Sequence, residues 1–164
     1  MTYHHIDDEG FWEHGPESLD YQRLMAELIG VQLARFPLGP AEDGETPFAS
    51  VLKMPPGYEL WRHKHDCYRF EAIIMGSLTT GDGQVLTAGH VMQTVPHELY
   101  GPYFVGEEGC ITVEIFSRRA GMPTIIDETT DPRAVDFLRD LMNDSDPERQ
   151  DAARISMEGS GIEL

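Results

Sequence analysis

WRHKHDCYRFEAIIMG, residues 61–76, sets two histidines one residue apart ahead of an apolar run. On an extended chain, residues i and i+2 face the same side with Cα atoms roughly 6.5–7 Å apart, so His63 and His65 can converge on one ion. The same letters also read as a pair of exposed histidines at a strand edge or in a loop, flanked by Arg62, Lys64 and Asp66. A ligand pair acquires meaning only with its third and fourth members. The question therefore passes to the rest of the chain.

That chain has 164 residues, 40% of them hydrophobic, enough for one core and too few for two domains of ordinary size. Its 29 acidic and 12 basic side chains give a net charge of -17, a field that repels nucleic acid and anionic membranes. No Lys/Arg-rich face offsets it, and no stretch approaches the length that spans a bilayer. The first residues, MTYHHIDDEGFWEHG, have no basic segment followed by an apolar one, so the reading is a cytoplasmic protein. Cys67 and Cys110 are too few for a disulfide scaffold and lack the spacing of a zinc or redox pair; both read as reduced thiols.

Around this stretch the sequence divides into three parts. Residues 1–46 form an N-terminal extension in which SLDYQRLMAELIG predicts a short helix, with Ser18 as its cap and Gly30 as its stop, followed by a strand at VQLARF. Residues 47–127 hold short apolar runs, FASVLKM, FEAIIMGSLTT, QVLTA, VMQTV, YFV and CITVEIFS, separated by PPG, GDG, AGH, GP and GEEG. Strands at this spacing predict a closed antiparallel barrel. In residues 128–164, DPRAVDFLRDLMN predicts a helix with an Asp cap and Pro at its first position. The acidic segment after it is expected to be partly disordered or to pack on a partner subunit.

Gly57, five residues, His63-Lys-His65, then Gly76 resembles the first motif of the cupin family. LTAGHVMQTVPHELYGPY, beginning at Leu86, occupies the place of the second. The resemblance spans roughly residues 48–118, and among cupins it is similar to the acetylacetone-cleaving and dihydroxyacetophenone dioxygenases. It implies an all-β double-stranded β-helix, or jelly roll, with a short N-terminal helix and a C-terminal helix. It also implies a site inside the barrel and a homodimer.

Two of the four motif ligands are changed. Counting from Gly76 puts Arg69 where the motif has its acid, and counting from Gly89 puts Tyr100 where it has its last histidine. A guanidinium does not deprotonate and repels a cation. Glu71, two residues on and on the same strand face, can supply the carboxylate, or can form a structural pair with Arg69. His97 enters the site if the VPHE loop bends inward, or else caps a surface turn. Tyr100 can ligate, act as general acid or base, or close the barrel mouth. His4, His5, His14 and His90 read as solvated or turn residues.

Two functions from different classes follow. With His63, His65, Glu71 and His97 as ligands, Fe(II) is the favoured metal, with Zn, Mn or Ni as alternatives. Arg69 and Tyr100 then act on a small carbonyl or carboxylate compound in a dioxygenase-type reaction, with a lyase or isomerase as variants. The other function is a non-catalytic small-molecule-binding or sensor cupin that has lost part of its metal site. Arg69 in the acidic slot is the residue that favours it.

Overall fold

Alternation of apolar and polar side chains marks half-buried strands, and it runs through FASVLKM and the residues after Tyr68. Both segments are strands in the computed structural model, which describes residues 1–16, 20–127 and 129–162. In chain order the strands are β1 (Gln32–Pro37), β2 (Phe48–Met54), β3 (Glu59–Leu60), β4 (Arg69–Thr80), β5 (Val85–Thr87), β6 (Val91–Thr94) and β7 (Tyr103–Phe116). They form one antiparallel sheet in the order β1-β2-β7-β4-β5, with β3 on β7 and β6 on β4. The expected antiparallel β fold with flanking helices is the architecture found. β1, assigned above to the N-terminal extension, pairs with β2 along its whole length and belongs to the sheet.

YFV and CITVEIFS, expected as two strands, are the ends of the single strand β7. The GEEG between them is an excursion within the strand: pairing with β4 jumps from Cys110 opposite Gly76 to Val105 opposite Leu78. Gly76 adopts φ 74° at this crossing, and a Cβ there would collide with the carbonyl of Gly109. Glycine is required at that position by both conformation and space.

Three helices cover the sheet. The first, α1 (Asp20–Leu28), ends where Gly30 turns left-handed at φ 84° and the Val31 N–H reaches back to the Ala26 carbonyl. Its expected cap, Ser18, lies outside the described residues. α2 (Pro132–Met142) starts as expected, with the Asp131 carboxylate accepting from the Arg133 N–H. The segment beyond α2 is not left to solvent or to a partner: it forms α3 (Pro147–Ser160), capped by Asp146 and closed by Gly161 at φ 70°. Its apolar signal is carried by small residues, Ala152 and Ala153 with Met157, which hydropathy under-weights. Leu138, Leu141, Ala153 and Met157 pack together with Met25 and Leu28 of α1, locking the three helices to one another.

The main core cluster includes Met54, Ile73, Leu78, Val105 and Cys110. Cys67 and Cys110 are free and buried. Among the described residues no helix is long and apolar enough to cross a membrane.

A candidate site of buried polar side chains beneath a helical cover

The His-x-His segment lies between β3 and β4 as extended chain. His63 pairs with the backbone of Tyr100 in both directions, and Lys64 does the same with Ile125. Alternation then turns both imidazoles to the interior, where they are buried with ring centroids 5.2 Å apart. His63 Nδ1 lies 2.7 Å from the Trp61 carbonyl, which can only accept, so Nδ1 carries the proton and Nε2 the lone pair. His65 Nε2 contacts the Tyr100 hydroxyl at 2.8 Å. Burial, with His65 beside it, lowers His63 to about 3; burial, with Arg69 nearby, lowers His65 to about 3. Burial raises Tyr100 well above the usual phenol, against the pull of Arg69. At neutral pH all three groups are uncharged.

β4 and β7 bring the charges. Pairing sets Glu71 directly opposite Glu114, with Ser50 of β2 on the far side of Glu114. Two buried like charges facing each other are destabilising, and Arg69 resolves the conflict. Its Nε and Nη2 donate to Glu114 Oε1 at 2.9 and 2.7 Å, and Nη2 also reaches Glu71 Oε2. Ser50 Oγ donates to Glu114 Oε2 at 3.1 Å. Burial pushes Glu71 up to about 7; Arg69 opposes that shift and Glu114 adds to it. The guanidinium also stacks on Tyr100, 4.5 Å from the ring centroid. The two positions that depart from the cupin motif, Arg69 and Tyr100, therefore touch each other.

The structure brings His63, His65, Arg69, Glu71 and Tyr100 together and leaves His97 out. His97 is exposed, with its Nε2 on the Asp66 carboxylate at 3.0 Å and its backbone at φ 63°. It stands where the second motif has a glycine, and adopting the conformation that glycine would take directs it to the surface. Glu114 is the residue sequence reasoning missed. Its signal was an acid, the only charged residue in the run CITVEIF.

A divalent metal does not fit this donor set. Among the described residues no group of three His, Cys, Asp or Glu side chains is arranged to hold one. Glu71 and Glu114 both bind a guanidinium, His65 Nε2 is engaged by Tyr100, and a fixed cation sits in the acid's place. A second cation there would meet Arg69 with its countercharges already committed.

Above the polar cluster lies an apolar chamber of about 300 Å³ between the inner sheet and the three helices, reached by Ser50 and Glu114 on the sheet side. A smaller cavity of about 90 Å³ shares Met25, Ile29, Thr124, Ile126 and Leu138 with it and extends to His63.

No family model and no curated protein matches the chain. Solved structures do. An RmlC-like cupin from Ralstonia eutropha aligns at 18% identity over 69% of this chain and 74% of its own, with a TM-score of 0.46. KdgF from a Halomonas species aligns at 20% identity over 55% and 82%, TM-score 0.45. An acetylacetone dioxygenase from Acinetobacter johnsonii aligns at 16% identity over 62% and 67%, TM-score 0.48. In fold, the chain is similar to the cupins. The Arg69 cluster is read from this chain's own residues.

Proposed function

We propose that this protein binds a small, largely apolar molecule in the helix-covered chamber and does so without a resident metal ion. It is a binding or sensor barrel built on a cupin-like frame. The observation that carries this reading is the buried Arg69 guanidinium held between Glu71 and Glu114, in the slot where the motif places an acidic ligand. Metal analysis of the full chain, purified from medium supplemented with iron, zinc, manganese and nickel, tests it. Metal well below one equivalent, unchanged when His63 and His65 are both replaced by Ala, is the expected result; near-stoichiometric metal that disappears in the double variant overturns it.

The metal-dependent enzyme, with Fe(II) in a dioxygenase-type reaction, is the second reading. His63 favours it, since an Nδ1–H held by a backbone carbonyl leaves Nε2 free to ligate, and so does the unpartnered Glu71 Oε1. That reading needs Arg69 to leave the cluster, and the outcome that overturns the first supports it.

A homodimer is part of the proposal. The N-terminal segment and the C-terminal helices are committed to this chain: Phe11 packs on Ala34, Val51 and Ile111, and α2 and α3 pack on each other and on α1. The outer face of β4, β6 and β7 remains, where Phe70, Val91 and Ile115 are exposed. No charged side chain stands among these residues and their neighbours Ala72, Gln93 and Val113, in a chain of net charge -17. A second copy matches such a face better than water does.

A further inference from the structure

Several polar groups that line the two neighbouring cavities, which share five residues, present acceptors to them. His63, fixed as the Nδ1–H form by the Trp61 carbonyl, offers a lone pair at Nε2. Glu114 offers carboxylate oxygens whose charge Arg69 already balances, and the Ser50 hydroxyl gives its proton to Glu114 and keeps only acceptor capacity. Ser156 likewise gives its hydroxyl proton to the Ala152 carbonyl. Arg69, the one buried cation of the polar cluster, is absent from the lining of both cavities and is bound to two carboxylates. Gln22, whose Nε2 donates to the Tyr21 hydroxyl, adds the unpartnered acceptor Oε1 to the chamber. Tyr21, Thr124, Tyr58 and Trp61 are the lining side chains that can also donate, and the rest of the walls is apolar, with Met25, Ile29 and Leu138 common to both cavities. A carboxylate entering here would lose its hydration without gaining a cation, because Arg69 is committed to Glu71 and Glu114. A hydrocarbon would leave the acceptors unanswered.

We infer that the ligand is a small neutral alcohol or phenol, whose apolar body fills the chamber and whose hydroxyl donates a hydrogen bond to His63 in the smaller cavity. This rests on the binding function proposed above and adds the ligand's chemical class and the residue that reads it. The chamber volume is at the low end of small-molecule sites, which suits a compact ring system over a long chain.

Three probes of one shape test the class: 2-naphthol, naphthalene and 2-naphthoate, titrated by calorimetry against the full-length protein at pH 7.5. The expected order is naphthol first, tighter than naphthalene by about tenfold, the worth of one net hydrogen bond away from water, with naphthoate weakest. In His63→Phe the preference of naphthol over naphthalene is expected to vanish while naphthalene still binds. Gly159 lines the chamber on α3, and a Cβ there meets nothing within 4 Å, so Gly159→Phe fills open space without strain and is expected to abolish binding of all three. Equal affinity for naphthol and naphthalene, naphthoate as the best ligand, no binding by any probe, or full affinity in Gly159→Phe would each overturn the inference. Metal content decides the function it rests on, and the naphthol preference decides the ligand class, so the two can fail separately.

Discussion

Arg69 determines the electrostatics of the site. Without it, Glu71 and Glu114 would face each other in the interior, and leaving a buried charge uncompensated costs about 3–5 kcal/mol. The titrating groups around it pull stability in opposite directions. The folded state keeps His63 and His65 near 3, below the free value of 6.5, so acidification protonates the unfolded chain first and stability falls as pH drops from 6.5 toward 3. Glu71 runs the other way. Raised from 4.5 to about 7 in the fold, it contributes stability that is fully present below 4.5 and is lost as pH rises to 7. In wild type the two trends partly cancel between pH 4.5 and 6.5. Glu71→Gln removes one of them, so urea denaturation across a pH series should show a steeper loss on acidification in the variant, by up to about 3 kcal/mol over the window. Parallel curves for the two proteins would show that Glu71 does not titrate there.

At the scale of elements, what the sequence spelled locally came out where it was read, and what depended on distant pairing did not. Asp131-Pro132 before an amphipathic run fixes the start of α2 wherever the helix docks, because cap and ring act on their own neighbours. GEEG has the composition of a turn, yet whether it ends a strand depends on β4 continuing alongside it, and no local feature of GEEG carries that information. Gly76 is where the crossing is anchored. Gly76→Ala is expected to lose well over the 1–2 kcal/mol of a left-handed non-glycine residue, because the Gly109 carbonyl is backbone and cannot move aside. Gly83→Ala, at φ 89° with nothing within 4 Å of its Cβ, provides the comparison and should lose only the conformational part. Thermal melts of the two variants compare them directly, and equal losses would mean that the crossing relaxes. α3 escaped the sequence reading because alanine packing needs a partner helix at hand before it counts as apolar surface.

For the whole molecule, the outer side of β4, β6 and β7 is a face where Phe70, Val91 and Ile115 are exposed without a charged neighbour. Sedimentation velocity should find a dimer at micromolar concentration, and Phe70→Lys, which places a charge in the middle of that face, should shift it to monomer. A monomeric wild-type protein would leave that surface without the partner proposed for it. The sequence by itself determined most of the strands and the helices α1 and α2 through periodicity and caps, the shared face of His63 and His65 through their spacing, and the place of Arg69 and Tyr100 in the two motifs. The tertiary structure decided what those residues do together. Glu71 as metal ligand or structural partner, Tyr100 as ligand, acid–base group or closure of the barrel mouth, and His97 as inward or outward were open alternatives in one dimension. In the fold Glu71 shares Arg69 with Glu114, which lies 43 residues beyond it in sequence and directly opposite it in the sheet, Tyr100 contacts His65, and His97 pairs with Asp66 at the surface. Electrostatic roles in a buried site are set by which charges meet across strands, and strand pairing is a property of the folded chain.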